Sequence, residues 1–321
     1  MDEDKDFMYD FSIVVCTHNS DIEKLLITLK SIVSQENVTY EIIIADDGSK
    51  FLDKCTIEDW FQENSFNDYF IVANSVNQGT VKNCISGVRL AKGKYIKTIS
   101  PGDYLYNKDT LFKFKQFIDD NKYRVVFGKA AYYSVSNNDI TLYQKMNPVD
   151  LQPYIDCDKN AIFKNYLYYR DYILGACLIL EKEVFIKYLS IIQGKIKYAE
   201  DCSYILMVSD GVDIGFLDDF MIWYECDSGI STNKSSFWAD MLYKDNLECF
   251  KLVVFRHPEL RECYDLFIKR KNLRTILLWL QSKLHYKFLK FKSRYVGDKG
   301  FKHLDVNILK GILFGGSNAS N

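Results

Sequence analysis

Short apolar runs and longer segments of helical periodicity alternate over the first hundred residues. Each apolar run has the length and the β-branched content of a buried strand. The runs lie at 11–17, 41–46, 70–73 and 95–100. Between them, apolar residues recur every three or four positions, as on one face of an amphipathic helix. These segments are 21–34, 56–64 and 81–91. The alternation predicts an α/β fold with a Rossmann-like, mostly parallel sheet flanked by helices.

The pattern continues less regularly to about residue 234. We predict further helices and strands there from the same periodicities. The helices are 107–121, 181–189 and one that begins at Glu200-Asp201, and the strands are 125–135, 173–180, 212–219 and 220–226. Residues 137–170 are polar and aromatic without a clear period, and we interpret them as an irregular, substrate-facing excursion. Beyond 234 the chain becomes helical and increasingly basic. We therefore predict one large domain at 1–234 and a basic helical appendage at 235–321.

Small polar and acidic residues follow each of the first four predicted strands. They are Thr17-His18-Asn19, Asp46-Asp47-Gly48-Ser49, Asn77-Gln78-Gly79 and Ser100-Pro101-Gly102-Asp103. The carboxyl ends of parallel strands share one edge of a sheet, and open α/β folds bind their ligands there. Each group alone is equally typical of a helix cap or a turn. Four groups in succession favour a binding site along this edge.

Composition narrows the class of protein. The 321 residues carry a formal net charge of -2, which argues against a surface built for nucleic acid. Nine cysteines occur singly, without a CxxC pair, and this predicts reduced thiols rather than disulfides or a zinc site. The acidic N-terminus and the lack of an apolar stretch of about 18 residues predict a chain that is neither secreted nor membrane-spanning. We therefore expect a cytoplasmic location.

Apolar and basic residues interleave in the segment 269–294. The pattern is that of a basic amphipathic helix, which suits peripheral contact with an anionic membrane surface. It fits equally well a helix that packs on the main domain and exposes a solvated basic face. Both interpretations stay open at the level of sequence.

Acidic residues at two distant positions are candidates for catalysis. Asp103 follows a tight Pro-Gly turn, and a carboxylate there suits Mg²⁺ or Mn²⁺, which one or two carboxylates and substrate phosphates commonly hold. Asp201, beside Glu200 at a helix start, suits a general base for a hydroxyl nucleophile. The pair Asp46-Asp47 suits a nucleoside, because a carboxylate accepts hydrogen bonds from a base N–H or from ribose hydroxyls.

Four segments together resemble the inverting glycosyltransferase family 2, which has the A-type nucleotide-sugar fold. They are FSIVVCTHN, EIIIADDGS, NQGTVKNCISGVRLAKGKYIKTISPGD and AEDCSY, in the family's order and approximate spacing. The resemblance implies that Thr17, Asp46 and Asp47 line the nucleotide, with Asp47 at the pyrimidine ring. It also implies a metal ligand at Asp103 and a catalytic base at Asp201, next to Glu200. The further donor contacts that we predict are Asn19, Asn77, Gly79, Lys82, Ser100 and Gly102.

The turn at Asp103 departs from the family's pattern. Relatives show Asp-x-Asp-Asp where this chain has Ser100 and Gly102 at two of the acidic positions. The remaining acid is the one that the resemblance places on the metal, so we expect a weaker metal site rather than none. Asp227 lies where relatives have a loop that closes on the donor. It is a candidate for contact with the diphosphate, with a simple turn as the alternative.

These features predict a metal-dependent, inverting hexosyltransferase. It would move a sugar from a UDP-sugar or similar donor to a hydroxyl of a lipid-linked or surface-polysaccharide acceptor, at the inner face of the cell membrane. The alternative is a non-catalytic nucleotide-sugar-binding or scaffold subunit, which the reduced acidic turn favours. A nucleotidyltransferase would need a glycine-rich phosphate loop after the first strand. No glycine occurs between Val15 and Gly48, which argues against that class.

Overall fold

One mixed sheet with helices on both faces organises the chain. The computed structural model describes residues 7–137, 139–226, 236–270, 272–296 and 304–315, with side chains only to 289 in the helix that ends at 296. The strands are β1 (Tyr9–Thr17), β2 (Tyr40–Asp46), β3 (Tyr69–Ala73), β4 (Gly93–Ile99), β5 (Tyr104–Leu105), β6 (Val125–Ser136), β7 (Asp139–Tyr143), β8 (Leu178–Glu181) and β9 (Gly215–Glu225). The α-helices are α1 (Ile22–Val33), α2 (Lys54–Glu63), α3 (Thr80–Leu90), α4 (Thr110–Asn121), α5 (Gln152–Ile155), α6 (Lys159–Lys164), α7 (Lys182–Ile192), α8 (Cys202–Ser209), α9 (Ser236–Arg256), α10 (Arg261–Phe267), α11 (Leu273–Val296) and α12 (Val306–Phe314).

The strand order brings the predicted rim together. It is β3-β2-β1-β4-β8-β6-β9-β5, with β7 beside β6. The first four strands of this order are parallel, whereas β8 is antiparallel to both neighbours. Thr17 pairs with Asp46, and Asp46 pairs with Ala73, so the carboxyl ends of β1, β2 and β3 lie level. The α/β prediction is confirmed, and the parallel part of the sheet carries the rim loops.

Separate hydrophobic cores cover the two faces of the sheet. In β1, Ile13 and Val15 pack with residues of α1, α2 and α4, whereas Val14 packs with residues of α3, α7 and α8. Successive side chains of a strand point to opposite faces, and a strand covered on both sides is therefore apolar throughout. This explains the uninterrupted apolar runs of the sequence.

Some individual elements differ from their predictions. The predicted strands 212–219 and 220–226 form one strand, β9. The predicted strand 173–180 begins only at Leu178, after a 3-10 turn at Gly175–Cys177 that we call the β8 turn. This turn lies beside the candidate site described below.

The segment 137–170 is more ordered than predicted. It contains β7, α5, α6 and a π-helical turn at Asn165–Tyr169. Tyr154 and Tyr166 within it are buried in the core on the α3 side of the sheet. Much of the segment is therefore part of the packed fold.

The C-terminal helices α9 and α10 pack on the α/β fold. Cys249, Phe250 and Phe267 belong to the same core as α3, α7 and α8. On α9, Asp245 accepts hydrogen bonds from the backbone N–H groups of Lys197, Tyr198 and Ala199, at 3.1, 2.6 and 3.0 Å. These bonds hold the segment that leads into Glu200-Asp201.

The predicted domain boundary between 234 and 235 lies outside the described residues. Within the described ranges, every helix is too short or too polar to cross a lipid bilayer.

Candidate active site

The ends of β1 and β2 meet at Thr17 and Asp46. The Asp46 carboxylate accepts hydrogen bonds from the backbone N–H and the hydroxyl of Ser49, at 2.8 and 2.5 Å. Thr17 Oγ1 donates to Ser20 Oγ at 2.7 Å, and its carbonyl accepts from the Asp47 N–H at 2.9 Å. Thr17 and Asp46 are both buried. They fix the shape of the loops that follow the two strands.

Asp47 ties the end of β2 to the start of α3. Its carboxylate accepts from the N–H groups of Gln78 and Gly79, each at 2.8 Å, and from Asn74 Nδ2 at 3.2 Å. Gly79 has a φ of 93°, and a side chain there would collide with the backbone of Lys197. A negative charge is favourable at a helix N-terminus. A carboxylate offers about four acceptor positions, so these three hydrogen bonds leave one position unused within the described residues.

His18 links the loops after β1 and β3. Its Nε2 lies 2.9 Å from Asn19 Nδ2 and 3.1 Å from Asn77 Nδ2. The Asn19 N–H donates to Ser49 Oγ at 2.7 Å, which adds the loop after β2 to the same network. Lys82 is exposed in the first turn of α3. Three of the predicted rim loops therefore contact one another directly.

The residues Ser100 and Asp103 close the predicted tight turn after β4. The Asp103 N–H donates to the Ser100 carbonyl at 3.0 Å. Gly102 has a φ of 98°, which favours glycine, and its N–H donates to Thr28 Oγ1 at 3.1 Å. Ser100 is exposed, whereas Asp103 is only 8% exposed. The Asp103 carboxylate accepts from the Glu225 N–H at 3.4 Å, a long hydrogen bond.

Two opposite charges lie buried at this turn. Burial raises the pKa of Asp103 to about 7, although the Glu225 N–H and the charge of Lys97 act in the other direction. Burial lowers the pKa of Lys97, within β4, to about 8. Lys97 Nζ donates to the carbonyl groups of Thr98 and Ala176, at 2.7 and 2.6 Å. The ammonium group thus holds the β8 turn against β4.

Glu200 and Asp201 precede α8, which begins at Cys202. The Asp201 side chain is solvent-accessible. Protein atoms around its carboxyl group nevertheless desolvate it, and this raises its pKa to about 6. Desolvation, followed by the charge of Asp201, raises the pKa of Glu200 to about 8. Both carboxyl groups therefore bind a proton more readily than a free acid does. Asp201 is the more exposed of the two, so it is the one that an acceptor hydroxyl can reach.

Asp201 adjoins the β8 turn, and the charge of Asp103 acts on the far end of that turn. A side chain at Gly175 would collide with the Asp201 carboxylate, so this carboxylate lies directly against the start of the turn. At its end, burial raises the pKa of Cys177 to about 12, and the charge of Asp103 adds to the shift while Lys97 opposes it. Lys97 binds the carbonyl between these two residues. The Asp201 carboxylate therefore contacts this three-residue turn, and the charge of Asp103, about a hundred positions away in sequence, reaches the same turn.

Comparison with known proteins identifies the family to which this chain belongs. Residues 12–189, more than half of the chain, match the model of glycosyl transferase family 2. The chain belongs to glycosyltransferase family 2. The matched range contains the four rim loops, Asp103 and the β8 turn of this glycosyltransferase, and ends shortly before Glu200-Asp201.

Relatives and solved structures agree with this assignment. The chain is 24% identical to the uncharacterized glycosyltransferase MG025 of Mycoplasma genitalium over 296 residues, which are 88% of this chain and 91% of the relative. TarS 1–349 of S. aureus in complex with UDP-GlcNAc has a TM-score of 0.57 at 18% identity and covers 85% of this chain and 79% of TarS. TarS 1–349 in complex with UDP has a TM-score of 0.54 at 16% identity, over 85% and 78% of the two chains. At these identities the likeness concerns the fold, which is the A-type glycosyltransferase fold.

A divalent cation is common in family 2. In the part of this glycosyltransferase that the structure describes, no three His, Cys, Asp or Glu side chains form a group that could hold a metal ion alone. Asp103 is a nearly buried carboxylate with one long hydrogen bond. Hard cations are often bound by one or two carboxylates together with substrate phosphates. The turn therefore fits a cation that shares its coordination with a diphosphate.

Sequence reasoning missed two residues of the site. Lys97 and Gly175 were not candidates, although a lysine inside an apolar strand is a visible signal. The candidate Asp227 lies outside the described residues. A surface pocket of about 500 Å³ lies beside β3 and contains none of the predicted site residues.

Proposed function

We propose that this glycosyltransferase transfers a hexose with inversion from a UDP-sugar to a hydroxyl of a lipid-linked or surface-polysaccharide acceptor. Family membership supports glycosyl transfer, and the UDP and UDP-GlcNAc complexes of TarS support a UDP-sugar donor. The observation that carries the proposal is the contact of Asp201 with the β8 turn, whose other end lies within reach of the charge of Asp103.

The nucleotide binds at the ends of β1, β2 and β3. Thr17 and Asp46 shape the pocket through their hydrogen bonds to the loops. Asp47 keeps one acceptor position for a pyrimidine N–H beyond its three protein bonds. The predicted contacts to the ribose, sugar and phosphates come from the rim loops and from the first turn of α3. They are Asn19, Asn77, Gly79, Lys82, Ser100 and Gly102.

The diphosphate binds beside Asp103, which would hold Mn²⁺ or Mg²⁺ together with phosphate oxygens. When bound there, such a cation would supply charge neutralisation to the leaving diphosphate. The Gly102 backbone and the Ser100 hydroxyl remain at the two positions where the family's pattern has acids. A site with so few carboxylates needs the phosphates to complete it, which predicts that metal and nucleotide bind cooperatively.

Asp201 acts as the general base. It is accessible to an acceptor and, with a pKa raised to about 6 by desolvation, is ionised at neutral pH. Glu200, whose pKa is raised by burial and by the charge of Asp201, is less exposed than Asp201 and lies further from an incoming acceptor. Asp201 takes the proton from the acceptor hydroxyl, and the oxygen attacks the sugar on the face opposite the diphosphate. This geometry gives inversion.

Replacing Asp201 tests the assignment. Asp201→Asn should lower the transfer rate by about 10²-fold to 10⁴-fold, the usual contribution of a general base. UDP binding, measured as thermal stabilisation with Mn²⁺ present, should stay within about twofold of the wild type. Asp59→Asn, the same substitution at an exposed position of α2, is the matched control. Full activity of Asp201→Asn would show that Asp201 is not the general base.

The alternative, a non-catalytic binding subunit, is based on the reduced acidic turn. A donor hydrolysis assay distinguishes such a subunit from an active transferase. Transferases commonly hydrolyse a UDP-sugar slowly when no acceptor is present. Release of UDP by the wild type with Mn²⁺, and its loss in Asp201→Asn, supports the enzyme. UDP-sugar binding without any release supports a binding subunit.

The helix α11 has two apolar faces. On one face, Thr275 is buried, and the rings of His285 and Tyr286 lie 5.3 and 6.5 Å from that of Tyr169. Residues three or four apart share one side of a helix, and a second such row is exposed between 43% and 75%. This row is Leu273, Ile276, Leu277, Leu280, Leu284 and Phe288. Arg274, Lys283 and Lys287 are also exposed on this helix.

This exposed row supports a peripheral membrane contact within the predicted segment 269–294. An exposed apolar row with lysine and arginine beside it suits the boundary between anionic headgroups and acyl chains. The site would then work at the inner face of the cell membrane, where a lipid-linked acceptor is available. Lys271 and the side chains from 290 onward lie outside the described residues.

Vesicle sedimentation tests the membrane contact. The wild type should sediment with vesicles that contain an anionic phospholipid and less with neutral vesicles. The double variant Leu280→Glu, Leu284→Glu should bind at least about tenfold more weakly, because it places two charges in the apolar row. Phe255→Glu is the control, since Phe255 on α9 is 84% exposed and lies outside the row. Equal binding of all three proteins would refute the contact.

A further inference from the structure

Glu225 lies beside the turn that bears Asp103. It ends β9, and its N–H is the group that donates to the Asp103 carboxylate. A Cβ built on Gly102 would lie only 2.7 Å from Glu225 Oε2. The carboxylate of Glu225 thus fills the space that a side chain at position 102 would take. Position 102 is also one of the two places where the family's acidic pattern is interrupted.

Lys24 of α1 neutralises this carboxylate. Its Nζ lies 2.7 and 2.6 Å from Oε1 and Oε2 of Glu225. The side chain of Lys24 is 40% exposed, whereas that of Glu225 is 14% exposed. A long, half-exposed lysine can change its rotamer at little cost. The ion pair therefore joins a half-exposed cation to a mostly buried anion.

Asp103 has no such cation. It is 8% exposed, and no ion pair to it is present in the part of the chain that the structure describes. The one hydrogen bond to its carboxylate there is the 3.4 Å contact from the Glu225 N–H. A buried carboxylate with so little compensation is costly unless a positive group reaches it. Two carboxylates thus face one turn, and within the described residues only Glu225 of the two forms an ion pair.

We infer that Glu225 supplies the second carboxylate of the cation site, alongside Asp103, and that Lys24 leaves it for the diphosphate when cation and donor bind. The inference rests on the proposed function. Two carboxylates and a diphosphate form an ordinary oxygen site for Mn²⁺ or Mg²⁺. Lys24 and the divalent cation compete for Glu225, and the displaced ammonium group finds a new anion in the phosphates. β9 thus replaces an acid that the turn itself lacks.

Direct measurement of Mn²⁺ binding tests this inference without turnover. Free Mn²⁺ is counted by electron paramagnetic resonance with and without UDP, on the wild type, Glu225→Gln, Lys24→Met and the control Glu36→Gln. Glu36 is an exposed glutamate paired with Lys108 at 3.0 Å, away from the site. Even outer residues of metal sites cost 10-fold to 100-fold in affinity when replaced, so Glu225→Gln should weaken Mn²⁺ binding by at least about tenfold.

Lys24→Met should change Mn²⁺ affinity in the direction opposite to Glu225→Gln, which makes it an independent test. Removing the competing ammonium group should strengthen Mn²⁺ binding without UDP, whereas UDP should bind more weakly once Mn²⁺ is saturating. A merely structural ion pair predicts that both variants lose stability and that neither changes Mn²⁺ affinity. That result, with Glu36→Gln also unchanged, would overturn the inference.

The control arms separate this inference from the proposed function. If the wild type binds Mn²⁺ with UDP and releases UDP from a UDP-sugar, while Glu225→Gln binds Mn²⁺ normally, the role of Glu225 is wrong and the transferase stands. If the wild type binds neither Mn²⁺ nor UDP, both are wrong. Unfolding temperatures measured without Mn²⁺ identify any variant that has lost its fold.

Discussion

Gly175 positions the Asp201 carboxylate by lacking a side chain. A Cβ built there would lie closer to Asp201 Oδ1 than any real Cβ contact and would be 3.4 Å from Cε2 of Tyr204. The φ of Gly175 lies outside the left-handed region, so alanine does not strain the backbone at this position. Gly175→Ala therefore sets a methyl group against the carboxylate and changes nothing else nearby.

The size of the effect follows from the contact distance. Ordinary van der Waals contact begins at 3.4 Å, so the Asp201 carboxylate must move by about 1 Å to admit the methyl group. A misplacement of this size costs about 10²-fold in rate, or about 2.7 kcal/mol of transition-state stabilisation. Asp201 is exposed and can turn outward, so we expect the free energy of unfolding to change by less than about 1 kcal/mol.

The assay compares turnover with binding. Transfer from a UDP-sugar, or its hydrolysis, gives kcat, and thermal stabilisation by UDP with Mn²⁺ gives donor affinity. Gly175→Ala should lower kcat and leave donor affinity unchanged. The control is Gly311→Ala on α12, where no atom lies within 4 Å of the added Cβ. If Gly175→Ala kept more than half of the wild-type kcat, Asp201 would not act from the position that the structure gives it.

Further predictions concern the same rim. The transfer rate should rise with pH through an apparent pKa near 6, because desolvation raises the pKa of Asp201 to about 6 and only its ionised form accepts a proton. A kcat/KM profile that is flat between about pH 5 and 7 would assign the proton to another group. Asp47→Asn leaves the N–H of Gln78 or of Gly79 without its acceptor, which should cost about 1–3 kcal/mol of stability in urea unfolding. Asp59→Asn should show no such loss.

The rim was predictable because it depends on local pattern and simple topology. Apolar runs mark the strands, and parallel strands that are adjacent in the sheet end at the same edge. Thr17 and Asp46 pair directly in the register, as this reasoning requires. The contact of His18 with Asn19 and Asn77 follows from the same edge, although the sequence does not specify which side chains meet.

The contribution of β9 was not predictable for a physical reason. Shifting a strand by one residue moves all its side chains to the other face of the sheet. The pairing of β6 with β9 contains register shifts on both sides of Lys129, and these decide that Glu225 pairs with Tyr133. Such irregularities depend on packing across the whole sheet. The approach of Glu225 to Gly102 therefore required coordinates.

The carboxylates of Asp103 and Asp201 differ from an ordinary structural ion pair in having no cationic partner within the described residues. Burial alone would raise the pKa of Asp210, but hydrogen bonds from Arg256, His257 and a tyrosine lower it overall, as in a structural ion pair. Burial raises the pKa values of Asp103 and Asp201, and no ion pair reaches either of them within the described residues. The nearest buried cation, Lys97, donates to carbonyl groups instead.

Carboxylates without a fixed cation are costly for folding, and proteins keep them where they act on a proton or an ion. Asp201 is exposed, and this exposure admits an acceptor hydroxyl. Asp103 has little solvent access, so its compensation has to come from a bound cation. The difference in exposure between the two acids therefore supports their different roles, because a base must meet its substrate's proton while a metal ligand needs only the metal.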